Sequence, residues 1–149
     1  IYPEILVYMA GDGEINQIKS LIKEKKLDNN IEVIGWINFK NKIELLKKVS
    51  TVLLPSYNEG LPMSILEGMA SGKAIISTDV GGIPELVENN INGLVISPGD
   101  ISALSKAISK MIEDEKFVKR CSINNLEKIE FKFSRKKMHE KISAIFNNI

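Results

Sequence analysis

The sequence predicts an α/β fold built on a doubly wound parallel sheet, and three observations carry that prediction. Five short apolar runs are each followed by a stretch of helical periodicity. The runs lack polar alternation, the pattern of strands covered on both faces. Glycines stand at the carboxyl ends of four successive strands.

Ile5-Leu6-Val7-Tyr8-Met9-Ala10, closed by Gly11-Asp12-Gly13, predicts a first strand buried on both faces and ended by a turn. Ile15, Ile18, Leu21 and Ile22 then recur at helical spacing. Ile31-Glu32-Val33-Ile34-Gly35 predicts the second strand. Ile43, Leu45, Leu46 and Val49 form the next helical stripe, with Lys42, Lys47 and Lys48 on its wet side. Thr51-Val52-Leu53-Leu54-Pro55 predicts a short third strand. The span from Pro62 to Ser71 predicts a helix with proline in its first turn, where a missing N–H costs nothing, and Gly72 ends it.

Ala74-Ile75-Ile76-Ser77-Thr78 predicts the fourth strand, followed by Gly81-Gly82 and a short turn of helix from Pro84. Gly93-Leu94-Val95-Ile96 predicts the fifth, bounded by the turn signals Asn92-Gly93 and Pro98-Gly99-Asp100. The remainder reads as helical: Leu104, Ala107, Ile108, Met111 and Ile112 form one stripe, and Met138, Ile142, Ile145 and Phe146 another. Ser134 is placed to cap the last helix. Strands alternating with helices in this way require crossovers over the sheet faces.

The composition is that of a single globular domain. The chain has 149 residues, 44 % hydrophobic and 26 % charged, which excludes disorder and coiled coil. No apolar run approaches the ~18 residues of a membrane span. Twenty basic against nineteen acidic residues give a net charge of +1, so nothing points to a nucleic-acid binder, and only Arg120 and Arg135 carry the guanidinium fork that reads phosphates. The single Cys121 excludes an internal disulfide and a multi-cysteine zinc site, and the only histidine, His139, cannot build a metal site alone. A reducing, cytoplasmic setting is expected. The chain opens on Ile1 and runs at once into a strand, so it is expected to be a piece of a longer protein, residues 1–149 forming one domain cut at its N-terminal side.

Ligands of such sheets bind beyond the carboxyl ends of the strands. Gly11 and Gly13, Gly35, Gly60, and Gly81 with Gly82 all fall there, where glycine either makes a turn or lets backbone amides approach an anion. The most informative segment runs from Pro55 to Gly72: a strand end, a loop and a helix start. The amides of Gly60, Leu61, Met63 and Ser64 fall where a helix has unpaired donors and the positive end of its dipole, a seat for a phosphate or sugar oxygen that Pro62 stiffens. Glu59, just outside the helix, can accept from sugar hydroxyls or stabilise developing positive charge. Around the helix Ile65, Leu66, Met69 and Ala70 share one arc, and Glu67 falls opposite beside Ser64, Gly68 and Ser71, whose small size leaves room for its carboxylate. Spacing leaves Glu67 open between a ribose ligand and a solvated helix residue.

Glu59 and Glu67, separated by seven residues within Glu59-Gly60-Leu61-Pro62, resemble the Glu-x7-Glu motif of retaining glycosyltransferases of family 4, the glycogen synthase-like group of the GT-B fold. Gly72 to Val87, with Gly81-Gly82-Ile83-Pro84-Glu85, resembles that family's strand, di-glycine turn and Pro-Glu step. Asn92-Gly93-Leu94-Val95 through Pro98-Gly99-Asp100 resembles its next strand and turn, and Gly11-Asp12-Gly13 and Val33-Ile34-Gly35 match upstream. The resemblance covers residues 5–112.

It implies the Rossmann-like donor half of a GT-B enzyme that moves a sugar from a nucleotide-sugar to an acceptor hydroxyl with retained configuration, without metal or other cofactor, in glycan or polysaccharide biosynthesis. Glu59 would bind the donor sugar near its reacting carbon, and Glu67 the ribose. The backbone of Gly60, Leu61, Pro62, Met63 and Ser64 would hold sugar and distal phosphate. Gly11 and Gly13 would line the diphosphate cleft, and the backbone near Trp36 and Ile37 would meet the base. The acceptor, a glycan or lipid-linked sugar, would be held by an N-terminal domain absent from this chain. The family's first strand and helix, with the cations that offset diphosphate charge, are absent too, and Lys73 lies past the helix end where it cannot replace them. The piece is expected to bind donor weakly and to catalyse nothing alone. A nucleotide-sugar-binding module without catalysis and another GT-B enzyme such as an epimerase are the alternatives.

The Lys-rich stretch from Lys128 to Lys141 is expected to be a solvated face or, if the whole enzyme works on lipid-linked acceptors, to lie near a membrane. His139 is expected at the surface, and Cys121 to be an inert thiol.

Overall fold

A computed structural model describes residues 2–146, apart from the side chains of Arg135, Lys141, Ile142, Ile145 and Phe146. The chain is α/β with parallel strands, and it divides into two compact units, one up to Leu45 and one from Leu46 onward.

In the first unit, β1 (Val7–Ala10), α1 (Ile15–Glu24) and β2 (Ile31–Gly35) form one strand-helix-strand step, followed by α2 (Phe39–Lys48), which runs across the boundary at Leu45. β1 and β2 pair in parallel from Val7 opposite Ile31, with a register shift between Met9 and Ala10 that leaves Ala10 opposite Gly35. The Asn30 amide donates to the carbonyls of Pro3 and Ile5, both at 3.0 Å, which ties the approach to β1 onto the start of β2. The expected burial of the first strand on both faces is not met. Leu6 is 57 % exposed and Val7 and Met9 each 38 %, and Ile22 is the only buried residue among the described residues of this unit. A two-stranded ladder with so little helix against it cannot shield two faces.

The second unit holds β3 (Thr51–Leu54), α3 (Met63–Ala70), β4 (Ala74–Thr78), α4 (Ile83–Leu86), β5 (Gly93–Ile96), α5 (Ile101–Glu113), α6 (Glu115–Lys128), a π-helical turn (Ile129–Phe133) and α7 (Arg135–Phe146). Its sheet is parallel in the order β3-β4-β5, with Leu54 opposite Ser77 and Ile76 opposite Leu94. β4 is central, and all of its residues are buried. Alternate β4 side chains enter two cores. Ala74 and Ile76 pack with Leu94, Ala107, Met111, Phe117 and Cys121 under α5 and α6, whereas Ile75 packs with Ile65, Met69, Ile83, Leu86 and Val87 under α3 and α4. Helices therefore cover both faces of this sheet, the doubly wound arrangement.

Asp100 and Asp114 cap α5 and α6, each accepting from the amide three residues on, at 2.8 and 2.9 Å. Ser134 Oγ accepts from the Lys137 amide at 3.3 Å, the cap anticipated for the last helix. Pro62 sits at the N-cap of α3 rather than in its first turn. The α3 stripe also needs correcting: Ile65, Gly68 and Met69 face the core and Ala70 is exposed. Gly68 does not make room for Glu67. A Cβ there would lie 2.9 Å from Val52 Cγ2 and 3.3 Å from Ile75 Cδ1, so glycine is what lets α3 approach the sheet. Met138, expected on an apolar helical stripe, is 58 % exposed, and neither core includes a described α7 side chain. Its expected companions Ile142, Ile145 and Phe146 lie outside the described side chains.

Between the layers lies one buried polar knot. Asn92 donates to the Leu86 carbonyl at 2.9 Å and to Asn125 Oδ1 at 2.7 Å, and its own Oδ1 accepts from the Glu88 amide at 2.7 Å. Asn125 donates in return to the carbonyls of Lys73 at 2.7 Å and Asn92 at 2.9 Å. Both side chains are essentially out of water. Buried amides that satisfy each other fix which elements meet, and deleting one strands several polar groups. Asn125→Ala is expected to cost about 2–4 kcal/mol in urea unfolding. Asn124→Ala, whose hydrogen bond to the Ile91 carbonyl is exposed, should cost less than about 1 kcal/mol.

Candidate functional site

The loop from Pro55 to Gly60, between β3 and α3, carries the first candidate carboxylate. Its start is held by β4: Ser77 Oγ donates to the Leu54 carbonyl at 2.7 Å and Thr78 Oγ1 to the Ser56 carbonyl at 2.6 Å, both from wholly buried residues. Its end is held by the turn after β4, where the Gly82 amide donates to the Gly60 carbonyl at 2.7 Å. Gly81 has a φ of +55°, and a Cβ on it would fall 1.7 Å from the Glu59 carbonyl oxygen; on Gly82 it would fall 2.8 Å from the Gly60 oxygen. The di-glycine turn is thus the surface on which the Glu59-Gly60 peptide rests. Ser56 Oγ donates to Glu59 Oε1 at 2.7 Å, and Glu59 is partly buried.

Gly60 itself meets nothing within 4 Å of a Cβ position, and neither does Gly13. Packing within the protein does not call for glycine at either place. Past Gly60, Leu61 and Met63 expose their side chains while Pro62 is buried with extended backbone, φ −72° and ψ 115°. No side chain caps α3, so the Met63 and Ser64 amides stand at first-turn positions that have no intrahelical acceptor, at the positive end of the helix. Glu67 is partly buried one turn further on, and Ser64 is exposed. Glu59, Gly60, Leu61, Pro62, Met63, Ser64 and Glu67 thus share one loop-helix segment of the second unit. Gly11, Gly13, Trp36 and Ile37 belong to the first. There the Gly11 amide donates to the Gly35 carbonyl at 2.9 Å, and Trp36, just past β2, is 73 % exposed.

Reading the sequence alone overlooked Ser56, Ser77 and Thr78 as parts of the site. A signal existed: two hydroxyls at the end of an otherwise apolar, central strand must find acceptors once buried.

The remaining candidates settle plainly. Cys121 is buried, and burial pushes its thiol up, with the Arg120 and Lys110 charges pulling the other way. His139 is exposed, and Lys137 pairs with Glu140 at 2.6 Å, a hydrogen bond that holds the Glu140 carboxyl below its usual range. Partial burial, then the neighbouring Lys132, lowers Lys128, with Glu88 opposing. Lys73 is partly buried and its carbonyl is taken by Asn125. Among the described residues no group of three or more His, Cys, Asp or Glu side chains gathers to hold a metal ion.

The family described as glycosyl transferases group 1 matches residues 1–128. The chain is 32 % identical over 134 residues to an uncharacterised glycosyltransferase of Methanocaldococcus jannaschii, covering 89 % of this chain and 36 % of that protein. It is 30 % identical over 149 residues to a UDP-Gal:alpha-D-GlcNAc-diphosphoundecaprenol alpha-1,3-galactosyltransferase of Escherichia coli, covering 98 % and 38 %. It superposes on Anabaena HepE, crystallised with UDP, at a TM-score of 0.88 and 25 % identity, covering 99 % of this chain and 42 % of that one. The chain spans under two fifths of the two curated relatives' length.

The clash at Gly81 is with backbone and cannot be relieved by a rotamer change. Gly81→Ala is expected to cost more than about 3 kcal/mol in thermal or urea unfolding. Gly72→Ala, also at positive φ but facing the movable Ser122 and Leu126 side chains, should cost about 1–2 kcal/mol.

Proposed function

The chain belongs to the glycosyl transferases group 1 family, and from that premise we propose that it is the nucleotide-sugar donor-binding part of a retaining glycosyltransferase of family 4. The observation that carries the reading is Glu59: a carboxylate tethered beside the uncapped start of α3, with an open glycine between them. That segment offers an acceptor for sugar hydroxyls and donors for a phosphate within a few residues of each other. Glu67 binds the ribose. The absence of any internal packing demand at Gly13 and Gly60 supports a role in close approach of an outside molecule.

On this reading the donor's bond from the sugar carbon to the diphosphate breaks while the acceptor hydroxyl oxygen joins the same carbon on the same face, and the hydroxyl's proton passes to the departing diphosphate oxygen. Charge on the departing diphosphate is met by amides at the α3 start, with no metal required of this chain's residues. Glu59 stabilises the positive charge that develops on the sugar ring in the transition state. The acceptor is proposed to be a lipid-linked sugar, as the names of relatives acting on diphospho-undecaprenol sugars suggest, so that the whole enzyme works at a membrane face. No described helix is long and apolar enough to cross a membrane.

The two carboxylates should separate kinetically in the full-length enzyme. Glu59→Gln, next to the reacting carbon, is expected to lower kcat about 100-fold with the donor KM within about threefold. Glu67→Ala, which loses a contact present equally before and during reaction, should raise the donor KM about tenfold with kcat nearly unchanged. Steady-state kinetics with a panel of nucleotide-sugars, UDP-galactose among them, reads both; equal effects on kcat would refute the division of roles. Residues 1–149 alone, given donor and acceptor at saturation, should transfer no sugar in a radiolabel assay.

A further inference from the structure

We propose that Ser56 is a positioning residue for Glu59: its hydroxyl fixes one carboxylate oxygen and thereby aims the other at the donor sugar, with Thr78 holding Ser56 in turn. The inference rests on the reading of Glu59 as the sugar-facing carboxylate. The terminal torsion of a glutamate is broad and soft, so a carboxylate on an exposed loop has no preferred direction of its own. Here Tyr57 and Asn58, the residues between Ser56 and Glu59, are both exposed. What reaches the carboxylate is the Ser56 hydroxyl, donating its single proton to Oε1 at 2.7 Å. The bond stops rotation of the group and leaves Oε2 to accept from sugar hydroxyls.

A hydroxyl aims well only if its own backbone is fixed. The Ser56 carbonyl accepts from Thr78 Oγ1 at 2.6 Å, two residues earlier the Leu54 carbonyl accepts from Ser77 Oγ at 2.7 Å, and both donors come from the fully buried β4. On the other side the Glu59 peptide abuts Gly81, and Gly60 is bonded to Gly82. Both ends of the loop are therefore referred to β4 and its turn, and the Ser56–Glu59 bond carries that reference to the carboxylate. A bond that merely tightened the loop would give the same fold but would not act through Glu59.

Two readouts on the full-length protein separate these cases. Side-chain relaxation of Glu59 in glutamate-labelled protein should show greater mobility in Ser56→Ala and wild-type order in Ser56→Thr, which keeps the hydroxyl. With UDP-galactose hydrolysis as the probe reaction, Ser56→Ala should lower kcat about tenfold with KM within about threefold, Ser56→Thr should restore it, and Ser56→Ala should have no further effect in a Glu59→Ala background. Unchanged Glu59 mobility in Ser56→Ala, or an equal loss of turnover with and without Glu59, overturns the proposal. Loss of turnover in Glu59→Ala but none in Ser56→Ala overturns the role of Ser56 alone. Wild-type turnover in Glu59→Ala overturns the reading of Glu59 and the positioning role with it.

Discussion

Every residue of β4 is buried, and a strand with no access to water must place each of its polar groups on protein. The backbone does so through parallel ladders to β3 and β5. The hydroxyls of Ser77 and Thr78 have no such ladder, and they reach the carbonyls at the end of β3 and in the loop beyond it. One requirement of the core, that buried hydroxyls find acceptors, thus decides where the loop carrying Glu59 begins. The turn leaving β4 decides where it ends, since Gly81 leaves no space between its backbone and that of Glu59.

The same logic operates at the start of β4 through amides instead of hydroxyls. Asn92 and Asn125 join the start of β4, the end of α4 and the approach to β5 to α6, a helix that also packs Phe117 and Cys121 into the apolar core. Apolar packing sets how strongly these layers adhere. The directional bonds set which register they adopt, because a slip of one residue would leave several buried polar atoms without partners. The Cys121 thiol in this layer faces apolar neighbours, and its upward shift follows from burial. Nothing there makes a nucleophile.

Two kinds of glycine occur along these loops and turns. Gly68 and Gly81 are required by the protein itself, one by a helix lying close on the sheet and the other by a peptide lying close on a turn. Gly13 and Gly60 face open space. Under the proposed reading, in which a nucleotide-sugar presents phosphates and hydroxyls, this second kind fits the need for a bare backbone that a ligand can approach.

Much of this was legible in the sequence because it depends on neighbours within a few residues. The apolar runs located β3, β4 and β5; Ser134 and Gly72 marked helix ends; and Glu59, Gly60 and the start of α3 stood out as one chemical segment. What was not legible depends on which elements share a layer. The apolar run at β1 reads like that of a buried strand, yet Val7 and Met9 are exposed, since burial is set by what packs against a strand and not by its composition. Helical periodicity could not say that Gly68 faces Val52. The bonds that hold the candidate site and the asparagine knot join Thr78 to Ser56 across 22 residues and Asn92 to Asn125 across 33. Local propensity determined the elements and the residue types brought to the site. Only the tertiary structure decided which hydroxyl meets which carbonyl, because those pairings exist once β4 is closed off from water and its polar groups have nowhere else to go.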